Sequence, residues 1–181
     1  MGLGWIMDKV RQGAPPDAPL TRPLIWEPTS GHSWEAEEAA MRLKIELSSL
    51  GFREIGAFRS RQRKNCELSA FFFPLAHFYA LLHMPVANVV PVELCCQLDE
   101  VYGISVVNQP GVDAWHGPPD GTLIELPDAA VGLLFTTLLE RGAGYDRDTA
   151  SPEFFLRQFQ SAQVRHFERD KANAANPQKS A

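Results

Sequence analysis

The stretch LSSLGFREIGAF (residues 47–58) decides the fold. On its left, Ala36, Ala40, Leu43, Leu47 and Leu50 recur at intervals of three and four, which makes one apolar stripe along a helix. Ser33 is a candidate N-cap. Glu35, Glu37 and Glu38 lie in the first turn, where the helix dipole favours anions. The pattern predicts a helix over 34–50. Gly51 offers the left-handed stop, and Phe52 can fold back on the last helical turn. On the right the period changes from helical to alternating, so 52–59 reads as a strand with Gly56 at a bulge.

The β character continues to Asn108. Residues 68–73 form a second strand ended by Pro74, and 78–84 a third ended by Pro85. Residues 89–98 form a fourth, with Pro91 near its start, and 103–108 a fifth. A short sixth is expected at 122–126. The links between the first five are hairpin-sized and no crossover helix separates them, so the sheet is expected to be an antiparallel meander. Two helices follow. Asp128 caps the first, which carries Val131, Leu134, Phe135 and Leu138 on one face and stops at Gly142. The second opens at Ser151-Pro152-Glu153 and carries Leu156, Phe159, Gln163 and Phe167. The expected fold is α+β: an antiparallel five- or six-stranded meander sheet with one N-terminal and two C-terminal helices packed against one face. Residues 1–32 read as a proline-rich arm, 33–171 as a single α+β domain and 172–181 as a disordered tail.

A chain of 181 residues with 45% apolar types suffices for one such core. A formal charge of −5, from 22 acidic and 17 basic side chains, disfavours a general nucleic-acid binder. No apolar run reaches the length of a membrane span. The opening MGLGWIM is too short for a signal-peptide core, and Ile6 breaks the myristoylation pattern. Three cysteines, two of them adjacent (Cys95 and Cys96), do not form a disulfide scaffold and suit a reducing, cytoplasmic setting.

The same helix stop Leu50-Gly51-Phe52, followed by a strand with Gly56 and Phe58 and then hairpins ending near Asn108, resembles a loosely defined group of bacterial proteins of unknown function. The likeness spans roughly 43–108. It differs where that group has Asp-Gly in a turn and this chain has Asp99-Glu100-Val101-Tyr102-Gly103. The resemblance implies a fold and no assigned activity.

Chemistry is sparsely marked. His32, His77, His83, His116 and His166 show no tight metal-ligand spacing, and Cys95-Cys96 is not a CxxC pair. A zinc site from Cys66, Cys96 and His83 stands against ordinary buried side chains, and the spacing favours the latter, so no metal is expected. Cys66 follows Arg63 and Lys64, which would lower a thiol pKa, yet no elbow or helix start accompanies it. GxSxG, SxxK, Walker and GxGxxG patterns are all missing, and no cofactor is expected. Glu93, Asp99, Glu100, Asp113, Asp120 and Glu125 are the carboxylates from which a working pair would have to come. Arg59, Arg61, Arg63 and Lys64 form a basic run without interleaved aromatics, better read as a solvated hairpin tip than as a phosphate-backbone contact.

The aromatic residues carry more. Phe71, Phe72 and Phe73 are consecutive, so they occupy both faces of a strand and both faces need cover. The arm, with Trp5, Ile6, Leu24, Ile25 and Trp26, is the expected cover for the second face. The leading expectation is a non-catalytic binding protein, of a toxin-neutralising (immunity-like) or adaptor kind. It would meet a basic protein partner through Asp99, Glu100, Tyr102, Asp113, Trp115 and His116, since acids steer basic partners and aromatics anchor interfaces. Trp115 packed inward is the structural alternative. The second class is a small-molecule binder with an apolar pocket between the sheet and the last two helices, lined by Phe155 and Phe159. The third is an enzyme working through carboxylates or Cys66.

Overall fold

A computed structural model of the chain describes residues 23–62, 66–86, 88–97, 103–109, 121–143 and 151–175. Its centre is a seven-stranded sheet in which the strands lie side by side in chain order. They are β1 (Trp26–Thr29), β2 (Arg53–Ser60), β3 (Glu67–Phe73), β4 (Phe78–His83), β5 (Val92–Gln97), β6 (Gly103–Val107) and β7 (Thr122–Glu125). A 3₁₀ turn (Ser33–Ala36) and helix α1 (Glu38–Ser49) separate β1 from β2. Helix α2 (Val131–Arg141) follows β7. A 3₁₀ turn (Pro152–Phe154) then leads into helix α3 (Phe155–Ala175). The α+β class and the largely antiparallel sheet agree with the sequence reading.

The helix stop at Gly51 is built as expected. Phe52 N–H donates to Leu47 C=O (3.0 Å) and Gly51 N–H to Ser48 C=O (3.0 Å), the paired bonds of a Schellman cap. Gly51 has φ +98°, and a Cβ there would lie 3.1 Å from the Phe73 ring. The β2–β3 register slips between Glu54 and Gly56, which is the bulge.

Four features differ from expectation. First, the sheet gains β1, in a segment read as arm. Trp26–Thr29 pairs with Ala57–Ser60, and Glu27 binds both Arg59 (3.0 Å) and Arg61 (2.6 Å). Two cations of the basic run are therefore spent on this strand pair. β1 is an edge strand holding Pro28, and its Trp26 carbonyl accepts a bond from Gln160 Nε2 of α3 (2.8 Å). Second, β7 runs parallel to β6, with Ile104 opposite Thr122 and Val107 opposite Glu125. The connection between them is long enough to carry the chain back the length of a strand, which a hairpin link is not.

Third, the helices cover both faces rather than one. Leu47 and Ala40 of α1 and Val131, Leu134 and Leu138 of α2 share a core with Phe71, Phe73, Phe78, Ala80, Leu82, Leu94 and Val106. On the opposite face Phe155 and Phe159 of α3 join Leu24, Trp26, Phe58, Leu68, Phe72, Tyr79 and Leu81. The physical reason lies in β3 and β4, which are apolar at successive positions, so each face needs its own cover. Leu24 and Trp26 do help to close the second face, as the arm reading expected, but Ile25 is exposed. Trp5 and Ile6 lie outside the described residues.

Fourth, the first predicted helix is broken. Glu37 is extended (φ −67°, ψ 145°) between the 3₁₀ turn and α1. Similarly, Asp128 (φ +58°) precedes α2 without capping it, and the N-cap position is Ala130.

Candidate functional site

The six residues proposed as a partner surface, Asp99, Glu100, Tyr102, Asp113, Trp115 and His116, all lie outside the described residues. Of their described flanks, Gln97, Gly103 and Gly121 lie at one end of the sheet, whereas Asn108 and Gln109, which precede Asp113, lie at the other. Gln97 pairs with Gly103, so the chain leaves β5 and enters β6 there. Ile104 pairs with Thr122, so the chain also enters β7 at that end. The β3–β4 turn is a neighbour, because Tyr79 at the start of β4 pairs with Cys95 near the end of β5. It carries Leu75, which is 86% exposed and the most open of the large apolar side chains described.

A second place draws attention because it interrupts an apolar sheet. On the α3 face of β4–β6, Glu93 is buried (2% exposed) and accepts a hydrogen bond at Oε1 from Ser105 Oγ (2.7 Å). His83 Nε2 stands 3.4 Å from the other carboxylate oxygen. Cys95 is two residues along the same strand and directly opposite Ser105, so its thiol shares the face. Sequence reading had weighed Glu93, His83 and Cys95 separately and had not picked out Ser105. Strand alternation in VELCCQ puts Glu93 and Cys95 on one face, but only the register of three strands brings in His83 and Ser105.

The order of these groups determines their chemistry. In an acyl-transfer triad the imidazole stands between hydroxyl and carboxylate and takes the hydroxyl proton. Here the carboxylate stands in the middle, and Ser105 donates to it. Burial of the Cys95 thiol, with the Glu93 charge and Cys96 adding to it, pushes its pKa well above the usual range. The thiol is held protonated and is a poor nucleophile. The suggested zinc trio does not converge, because Cys96 belongs to the α1–α2 face while His83 lies on the α3 face. Among the described residues no three metal-ligating side chains come together.

A third cluster ties the 3₁₀ turn to β3. Glu35 accepts from the His32 amide (2.8 Å), from the Ser69 hydroxyl and from Lys44 Nζ (3.1 Å). Lys44 also binds Glu54 (3.2 Å). Glu67 accepts from Trp34 Nε1 (2.9 Å) and faces His32 Nδ1 (3.1 Å), while His32 Nε2 lies 3.1 Å from the Leu68 carbonyl. Burial opposes the charged form of Glu35, but the Ser69 hydroxyl, the His32 amide and Lys44 outweigh it and hold the carboxyl below its ordinary range. Burial likewise opposes charge on Lys44, and Glu35 and Glu54 outweigh it to raise the amine.

The last two helices, between which and the sheet an apolar pocket was expected, do not share one face of the sheet: α2 and α3 lie on opposite faces. The α3 aromatics are in direct ring contact: Phe155 with Tyr79 (5.1 Å) and Phe58 (5.2 Å), and Phe159 with Trp26 (5.2 Å). Among the described residues no helix is long and apolar enough to cross a membrane.

Comparison with known proteins gives no match to any family model, to any curated protein or to any solved structure.

Proposed function

We propose that this is a non-catalytic binding protein, of a toxin-neutralising or adaptor kind, that meets a basic protein partner at the end of the sheet where β5 ends and β6 and β7 begin. The observation that carries the reading is the strand register. It sets Gln97 and Gly103, which flank Asp99, Glu100 and Tyr102, and the start of β7, which follows Asp113, Trp115 and His116 in the chain, at one end, beside the turn with exposed Leu75. Acids there would steer a basic partner, and aromatic side chains with Leu75 would supply the apolar anchor. Two further points support binding over catalysis. The buried hydroxyl at Ser105 faces a carboxylate instead of an imidazole, and the Cys95 thiol is kept protonated.

The test uses two variants, Trp115→Ala and Asp99→Asn/Glu100→Gln. Each is assayed for melting temperature and for capture of the partner from native-host lysate, with the captured protein identified by mass spectrometry. The expected result is unchanged melting, lost capture for the tryptophan variant (about 2 kcal/mol or more of binding energy) and salt-sensitive capture by wild type. A large fall in melting temperature for Trp115→Ala would make that side chain part of the core. Wild-type capture by both variants would move the surface elsewhere.

A further inference from the structure

The segment between β1 and α1 is bounded by two departures from regular structure. At its start Gly31 has φ +132°, and a Cβ there would lie 3.1 Å from the Glu35 carboxylate. At its end Glu37 is extended before α1 begins. Between these points lie a single turn of 3₁₀ helix and few backbone bonds, Glu35 N–H to His32 C=O and Glu37 N–H to Trp34 C=O. Such a turn does not hold itself. Its attachment to the sheet and to α1 comes from side chains: Glu35 on Ser69 of β3 and on Lys44 of α1, Trp34 and His32 on Glu67, and the His32 ring on the Leu68 carbonyl. The His32 and Trp34 rings are stacked (5.4 Å), so they move together. Trp34 is 5% exposed and belongs to the core shared by α1 and α2.

We infer that residues 31–37 form an electrostatic latch, pinned chiefly by the Glu35 carboxylate, which opens as a unit between Gly31 and Glu37 while the sheet stays folded. Opening withdraws Trp34 from the core and uncovers the part of β3 beneath it. The charged and titratable groups around the pin are Lys44 of α1, Glu54 of β2, Glu67 of β3 and His32 of the latch itself. The direction with pH follows from the two displaced groups. Because the carboxyl of Glu35 is lowered, its contribution is complete above the ordinary carboxylate range and disappears as pH falls through the lowered value. Because the Lys44 amine is raised, its contribution is complete below the ordinary lysine range and is lost as pH rises through the raised value. The latch is therefore tightest between the two limits.

Hydrogen–deuterium exchange read by peptide mass spectrometry tests this. It compares wild type with Glu35→Gln, and with Glu38→Gln as a control that removes only the exposed pair to Arg42. In Glu35→Gln at neutral pH, peptides covering 31–37 should exchange about tenfold faster or more, with β4 and β6 unchanged. In wild type, after correction for intrinsic exchange, the same peptides should lose protection ahead of the strands as pH falls towards about 4. Three results would overturn the latch. One is unchanged exchange in 31–37 of Glu35→Gln. Another is equal acceleration of latch and strands, in the variant or on acidification. The third is an equal effect of Glu38→Gln.

Discussion

Truncating Leu47 to alanine tests the architecture most directly, because this side chain sits where the deciding stretch meets the sheet. Leu47 is fully buried on α1, and its carbonyl closes the Gly51 cap. The deletion removes three carbons' worth of buried surface, about 2 kcal/mol of transfer free energy at roughly 0.8 kcal/mol per methylene. A residual cavity adds to this, because a helix pinned on the aromatics of β3 and β4 cannot collapse fully into the gap. The expected total is about 2–5 kcal/mol, less a few tenths returned by alanine's better helix propensity. For a chain of this size that lowers the melting temperature by about 5–15 °C. The assay is urea and thermal unfolding followed by circular dichroism, with Ile45→Ala alongside. Ile45 is on the same helix but 67% exposed, so its truncation should cost no more than about 0.5 kcal/mol. If Leu47→Ala melts with wild type, or the two variants lose equal stability, α1 is peripheral and the two-cover arrangement is refuted.

The Gly51→Ala substitution should cost about 1–2 kcal/mol from the left-handed backbone alone, and more because the new methyl meets the Phe73 ring. Chemical denaturation measures it, and a variant as stable as wild type would contradict the cap geometry. Cys95 should resist maleimide labelling in the native protein at neutral pH and react once unfolded, as read by peptide mapping. Equal labelling rates in the two states would mean that its thiol is neither buried nor held protonated.

The sequence disclosed those parts of the fold that depend on neighbours in the chain. The Leu50-Gly51-Phe52 stop and the Gly56 bulge need particular local backbone angles, and they were read where they occur. Five interior strands were found within a few residues of their ends, because their apolar patterns are bounded by turn residues. β1 was missed because Trp26–Thr29 contains a proline and follows a proline-rich stretch. What makes it a strand is distant: Arg59 and Arg61 on Glu27, and Phe159 against Trp26. The direction of β7 and the face taken by α3 are also long-range matters. An apolar stripe at 155–159 says that a helix will be buried, but not on which side of the sheet. The polar group around Glu93 was hidden for the same reason, since its members meet only through the pairing of β4, β5 and β6.

The outer side of β1 has a consequence for how the molecule behaves among copies of itself. A terminal strand ordinarily offers a row of amides and carbonyls onto which another chain can zip. On β1, the residues whose backbone faces away from β2 include Trp26 and Pro28, since the Arg61 amide bonds the Ile25 carbonyl on the inner side. Proline has no amide to give, and the Trp26 carbonyl is already engaged by Gln160 from the far end of the chain. The last helix thus shields the sheet's margin against strand addition as well as filling a core. Loosening α3 would bare a template for aggregation before it unfolded the sheet.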